Sequence, residues 1–522
     1  MNKLTSFHLL IMAALAIAPI GAMSADQPAA AVQVKVETGT LKGSVDGDGV
    51  RSFKGIPYAL PPVGELRWKE PQLAAHWDGV RKATNFGPRA MQGPHDWKDM
   101  VTRAPSMSED CLYLNVWTAA GSASADLPVL VYFHGGGLVA GDGSEVRYDG
   151  ASDARKGIVV VTVNYRLGIF GFFAHPELTQ ESPRRASGNY GHMDQVLALQ
   201  WVKQNIAAFG GDPRRVTIDG QSAGSSSVCA MMTTPLARGL FQGAIGESGS
   251  ILGNPTELTL AQGEQEGTAF GAKIGATSLA ALRAIPADRL MGLATDLKVA
   301  RTTLVDGFVF PDTPEEVFFT GGQADVPLLA GWNSAEMQVS QVLGDSPATP
   351  ENFAAAVDTL YGAKAPKVLE VYKATTNAEA LQAAEDLASD RSIGYRTWKW
   401  TDMHAKSGGK PVFRYLYSQR MPPERNGPGG PSLGAAHSDE IPYAMGNLPI
   451  FNVFKWEAVD YKTSEVVQSY WVNFIKTGNP NGPGLPKWAW MQGSIPQVMD
   501  LSAEPHLVPE QHLARYLVLD SR

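Results

Sequence analysis

Gly220-Gln221-Ser222-Ala223-Gly224 holds the first side chain in this sequence that could do covalent chemistry. A serine hydroxyl attacks a carbonyl only when a base takes its proton, a carboxylate orients that base, and donors await the oxyanion. The pentapeptide directly follows a β-branched run that ends at Asp219. Behind it, Ser225, Val228, Cys229 and Met232 fall on one helical face. Strand, sharp turn and helix form the context that a G-x-S-x-G nucleophile elbow needs. A Cβ at either glycine would collide in such a turn, and the serine sits at the positive end of a helix dipole. A glycine-rich chain yields this pentapeptide by chance, so its context carries the reading.

In elbow-type folds the order along the chain is serine, acid, histidine. Of the ten histidines, His404, His437, His506 and His512 follow Ser222. His404 lies in a polar helical stretch near Lys406 and reads as a solvated helix residue. His506 and His512 sit in a charged tail. His437, in Gly434-Ala-Ala-His-Ser-Asp-Glu440, is surrounded by small residues that let an imidazole approach another backbone. Two acids suit the third role. Glu336 follows an apolar run ending near Gly331, where catalytic groups of open α/β sheets sit. Asp306, in Val305-Asp-Gly-Phe-Val-Phe310, is the alternative. For the oxyanion, His134-Gly135-Gly136-Gly137 follows a strand ending at Phe133 and exposes backbone N–H groups; Ala223 would add another. Ser407-Gly-Gly-Lys410 matches a rival S-x-x-K motif, but two glycines oppose the helical turn that motif requires.

These groups need a frame. Apolar runs at 128–133, 158–164, 215–219, 326–330 and 412–417 read as strands buried on both faces, with another at 516–519. Met193, Val196, Leu197, Trp201 and Ile206 predict an amphipathic helix with Asp194 in its first turn. Strands alternating with helices argue for an α/β fold with a mostly parallel sheet. No repeat and no long linker divides the chain, so one large domain over 26–522 is expected.

Composition narrows the function. Lys plus Arg number 44 against 52 Asp plus Glu, a formal charge of −8 with no basic run, which disfavours nucleic acid. Two cysteines exclude a disulfide scaffold. The usual zinc-ligand spacings are absent, and no metal or organic cofactor is expected. At the amino terminus, Lys3, the apolar run Leu9 to Ile20 and the small residues Gly21, Ala22, Ser24 and Ala25 read as an export signal over 1–25. Cleavage would follow Ser24 or Ala25. The run is too short for a stable membrane anchor, so a periplasmic or extracellular protein is expected.

The sequence resembles the type-B carboxylesterases, the family of cholinesterases and bacterial p-nitrobenzyl esterases. Phe53-Lys-Gly-Ile-Pro-Tyr-Ala59, Ser108-Glu-Asp-Cys-Leu-Tyr-Leu-Asn-Val116, Asn164-Tyr-Arg-Leu-Gly168, Glu247-Ser-Gly-Ser250 and Gly478-Asn-Pro-Asn481 carry the likeness in one order across the chain. It implies an α/β-hydrolase fold, with a large, mixed, mostly parallel central sheet flanked by helices. It implies a triad of Ser222, Glu336 and His437, which sets Glu336 ahead of Asp306. Oxyanion donors would be Gly136, Gly137 and Ala223. Ser248 matches a family serine that supports the histidine and the acid.

The departures also inform. Ala90 stands where relatives often carry a cysteine, so Cys111 loses that partner, and with Cys229 is expected as a free thiol. Gln221 replaces a frequent Glu before the serine, and Trp97 does not align with the cation-binding tryptophan of cholinesterases, so no preference for choline esters is expected. Leu138 and Met337 are placed to reshape the pocket. The resemblance thus implies hydrolysis of a small-molecule ester through an acyl-enzyme. Amide or carbamate hydrolysis by the same triad is the narrower alternative. A non-catalytic binding protein on this fold would typically lack a triad member, and this chain keeps all three. Nothing marks the lid of a lipase.

Overall fold

The computed structural model describes residues 32–95, 97, 99–253, 258–297, 299, 303–425, 433–493 and 496–521. The export-signal reading of 1–25 lies outside them. Among the described residues fifteen strands are formed. In chain order they are β1 Val32–Val36, β2 Gly39–Val45, β3 Arg51–Pro57, β4 Val80–Lys82, β5 Tyr113–Thr118, β6 Leu127–Phe133, β7 Val159–Val163 and β8 Gly211–Gly220. There follow β9 Gly243–Glu247, β10 Leu258–Thr259, β11 Leu304–Val305, β12 Leu328–Asn333, β13 Val412–Tyr417, β14 Gln497–Leu501 and β15 His506–Pro509. Thirteen of them make one sheet in the order β1-β2-β3-β5-β7-β6-β8-β9-β12-β13-β14-β15, with β4 beside β2; β10 and β11 pair separately.

From β7 to β14 every neighbouring pair is parallel, while β1, β2, β3, β5 and β15 join antiparallel at the two ends. The reason is burial. Val159–Val163 and Leu328–Asn333 are buried at every position, as continuous β-branched and apolar runs between two helical layers must be. One face packs on the helices Tyr190–Asn205 and Ala223–Thr233, the other on Ala458–Thr477. A third apolar cluster, built on Phe353, Val357, Val368 and Leu387, forms the core of a helical lobe over 340–389.

The five interior strands read from the sequence are present, with boundaries shifted by a few residues. The run 516–519 is instead part of the helix Leu513–Asp520. Tyr516 is buried there against Trp332 and Trp398, a one-sided pattern that a four-residue window cannot tell from a strand. The helix around Met193 is buried almost all round rather than amphipathic. It starts at Tyr190, so Asp194 lies in its second turn. Asp194 is not a dipole partner; it accepts from Arg166 N, Nε and Nη2 at 3.0, 2.8 and 2.7 Å in a buried pair. Among the described residues no helix is long and apolar enough to cross a membrane.

Candidate active site

The sheet brings the candidate residues together at the carboxyl ends of its parallel strands. Ser222 follows β8 and precedes the Ala223–Thr233 helix, with φ 59° and ψ −120°. This conformation is rare for a residue with a Cβ, and a hydrogen bond from its N–H to Glu247 O (2.8 Å) helps hold it. The glycines make the turn possible. A Cβ on Gly224 would lie 2.0 Å from Phe133 O, and one on Gly220 would lie 2.5 Å from the Gly224 backbone.

His437 comes from beyond β13 and Glu336 from beyond β12. The Ser222 hydroxyl lies 2.8 Å from His437 Nε2, and His437 Nδ1 lies 2.6 Å from Glu336 Oε2. The His437 side chain is 27% exposed and that of Glu336 fully buried. Their two loops are stitched together. Ala335 N–H donates to Ala435 O (2.8 Å), and a Cβ on Gly434 would meet Ser334 Oγ at 2.5 Å. The small residues around His437 permit that approach. Asp306, the alternative acid, is elsewhere. Its Oδ1 accepts the N–H groups of Phe308, Val309 and Phe310, and its Oδ2 accepts from Asn189. It organises a turn.

Burial by itself would lower the pKa of His437. The charge and hydrogen bond of Glu336, with Glu440 behind, outweigh it, and the net shift is upward. His404 is not solvated as expected. It is fully buried, shares a hydrogen bond with Val326 O (2.9 Å), and burial lowers its pKa.

Gly136 and Gly137 follow β6 with φ of 104° and 63°. A Cβ on Gly136 would strike Ala140 O at 2.3 Å. Among the described residues the N–H groups of Gly136, Gly137 and Ala223 have no hydrogen-bond acceptor. A cavity of about 270 Å³ runs past Gly137, Leu138, Ser222 and Ala223. Leu138 therefore does shape it. Met337 does not line it; its side chain packs on the lobe core. Trp97 stacks on His95 in a separate cavity of about 200 Å³. Gln221 places its amide nitrogen 3.5 Å from His437 Nε2. Cys111 and Cys229 are free and buried.

Among the described residues Ser248 makes no hydrogen bond to His437 or Glu336. Its hydroxyl donates to Glu440 Oε1 (3.4 Å), and its N–H donates to Gly331 O. Sequence reasoning missed the network beyond it. Asn333 Nδ2 donates to Glu440 Oε2 and Ala436 O, both at 2.6 Å, while Asn333 N–H donates to Glu336 Oε1 at 2.7 Å. One asparagine thus ties the acid, the histidine loop and Glu440 together. Burial and the nearby Glu336 push Glu440 up to about 7. Behind Ser222, Asp219 and Glu247 are both fully buried and both pushed upward, chiefly by burial; the charge of Asp219 adds to the rise at Glu247, whereas Glu247 opposes the rise at Asp219. Both Asp219 oxygens and Glu247 Oε2 are buried without a hydrogen-bond partner among the described residues. Glu247 and Glu440 both fall in motifs legible in the sequence, but nothing there distinguished them from solvated acids.

The chain is similar to known proteins along most of its length. The model of the carboxylesterase family matches residues 30–516. A para-nitrobenzyl esterase of Bacillus subtilis (strain 168) is 35% identical over 467 residues, covering 86% of this chain and 90% of its own. The fumonisin B1 esterase of Sphingopyxis macrogoltabida is 34% identical over 475 residues, covering 87% and 83%. The solved carboxylesterase of Geobacillus stearothermophilus superposes with a TM-score of 0.80 at 31% identity, over 94% of this chain and all of that one. The fold is therefore that of the α/β-hydrolase esterases, and the chain belongs to the carboxylesterase family as a carboxylic ester hydrolase.

Proposed function

We propose that the protein hydrolyses small-molecule carboxylic esters through an acyl-enzyme, with Ser222 as nucleophile, His437 as base and Glu336 as its orienting carboxylate. The observation that carries the reading is the unbroken relay from Ser222 Oγ to His437 Nε2 and from Nδ1 to Glu336, at 2.8 and 2.6 Å. His437 takes the serine proton as Ser222 Oγ attacks the carbonyl carbon. The oxyanion sits against the N–H groups of Gly136, Gly137 and Ala223, whose lack of other acceptors leaves them available. Losing one such donor costs about 3 to 4 kcal/mol of transition-state stabilisation. The imidazolium, held by Glu336, passes its proton to the departing alkoxide. A water that loses its proton to His437 then attacks the acyl-enzyme, and collapse returns the acid and free Ser222.

In this reading 26–522 is one catalytic domain and 1–25 directs export to the periplasm or beyond. Amino-terminal sequencing of the mature protein should begin at Ala25 or Asp26. The activity test is hydrolysis of p-nitrophenyl esters of rising acyl length. Ser222→Ala should lower kcat by roughly 10⁴- to 10⁶-fold. Retained activity in that variant would remove Ser222 from the mechanism.

A further inference from the structure

The cavity beside Ser222 has mainly small, hydroxyl-bearing and apolar walls, among them Gly137, Leu138, Ile251, Val305 and Phe310. Among the described residues one charged side chain lines it, Arg396, and no acid does. Arg396 is partly buried, and its Nε is buried with no hydrogen-bond partner. Among the described residues its guanidinium makes no ion pair. Three acids of this part of the fold make contacts other than with Arg396. Asp390 accepts from the Tyr372 hydroxyl and faces Arg515. Asp520 accepts from Tyr395 and pairs with Lys399. Glu315 Oε1 accepts the Gly253 N–H, and its Oε2 is buried without a hydrogen-bond partner among the described residues. Burial lowers the pKa of Arg396, Tyr395 opposes this, and Arg391 adds to it.

The backbone delivers this arginine to the cavity. A single π-helical segment, Asp390–Gly394, runs into the helix Tyr395–Ser407, and Ser392, Ile393 and Arg396 all line the wall. Such π segments are uncommon and concentrate at functional sites. A guanidinium remains protonated at neutral pH, and a desolvated cation without a counter-charge is costly. A planar carboxylate is its natural complement, able to accept two parallel N–H bonds.

We propose that Arg396 is a specificity residue that binds an ionised carboxylate on the ester, so that the enzyme prefers esters carrying a second carboxylate over neutral ones. The inference rests on the serine-esterase reading of the same site. The reaction is unchanged: a hemiester of a diacid and water give the diacid dianion, the alcohol and one proton. The carboxylate could sit on the acyl half or on the alcohol half, and the substrates below separate the two.

Monoethyl adipate, charged on the acyl side, would be compared with its amide twin, ethyl 5-carbamoylpentanoate. 4-Acetoxybutanoate, charged on the alcohol side, would be compared with 4-acetoxybutanamide. For one pair, wild-type kcat/KM should favour the carboxylate at least tenfold. Arg396→Met should bring that ratio to about one, and Arg396→Lys should keep part of it. A wild-type ratio near or below one in both pairs overturns the proposal, as does a ratio that Arg396→Met leaves intact. Should Arg396→Met fail to fold, calorimetric titration of Ser222→Ala with adipate and with adipamide decides. Binding of adipate alone supports the site, and equal binding or none overturns it. Ser222-dependent p-nitrophenyl acetate hydrolysis is measured alongside. Its absence sinks the serine-esterase reading, whereas its presence without carboxylate preference sinks only the role of Arg396.

Discussion

Two regions meet at the cavity, and they are built differently. The strand-end rim holds Ser222, His437 and Glu336 on turns fixed by backbone collisions and by a shared asparagine. Another wall carries Ser392, Ile393 and Arg396, just after a helical lobe whose own apolar core is separate from the two that sandwich the sheet. The rim is over-determined, so chemistry that needs sub-ångström placement belongs there. Among the described residues no side chain of the lobe core lines the cavity, so that core can change without moving the reacting atoms. The difference teaches that the reacting atoms and the lobe core are held by separately stabilised parts of the molecule.

The hardest blow to that division would come at the rim. Glu336→Gln should cut kcat by roughly 10⁴-fold, by analogy with amide replacement of a triad carboxylate. It should also shift the acid limb of kcat/KM to lower pH. Glu336 raises the His437 pKa, His437 must be neutral to act as base, and losing the charge lets the base survive at lower pH. A limb that stays in place would mean that another group sets it.

A lobe substitution gives the contrasting result. Leu387→Ala opens a void in the lobe core and should cost about 2 to 5 kcal/mol of stability. In thermal melts the loss should appear as an early or separate lobe transition, with kcat on p-nitrophenyl acetate within a few-fold of wild type while folded. A thousandfold fall in kcat would show that lobe and rim are one mechanical unit. Asp306→Ala tests the rejected acid. Three backbone N–H groups and the Asn189 amide lose their acceptor, so stability should fall by roughly 1 to 3 kcal/mol with little change in kcat.

The smallest expected effect concerns Glu440. Its pKa is raised to about 7 in the fold against an ordinary carboxyl value near 4.5. Between those values the folded state binds the extra proton, so stability falls as pH rises through that window, by at most about 1.4 kcal/mol per pH unit for this one group. Glu440→Gln should flatten the decline in melting temperature from pH 5 to pH 7.5. An unchanged slope would assign the dependence to the other buried carboxyls.

The sequence and the structure agree best where the physics is local. Parallel interior strands carry unbroken β-branched runs, and β13 appears at 412–417 as read. The elbow and the glycine turn each announce a steric requirement through residue type. What stayed hidden depends on contacts distant in sequence. The edge strands β1, β2 and β3 are half-buried and mix polar with apolar residues. His404 looked solvated because its neighbours are polar, yet tertiary packing buries it. Ser248 carries a motif, but its partner Glu440 lies 192 residues away. Arg396 belongs to no motif, and only its place in the fold shows that it makes no ion pair among the described residues.

The state of the two cysteines has a practical consequence. Burial raises both thiol pKa values, to about 12 at Cys229, so neither offers a thiolate at neutral pH. The fold has no covalent cross-link to form, and its assembly does not depend on the redox poise of the compartment that makes it. A cysteine introduced on the surface would then be the single fast-reacting thiol in the folded molecule. The unmodified scaffold is thus already suited to site-selective dye labelling or to oriented attachment on a support.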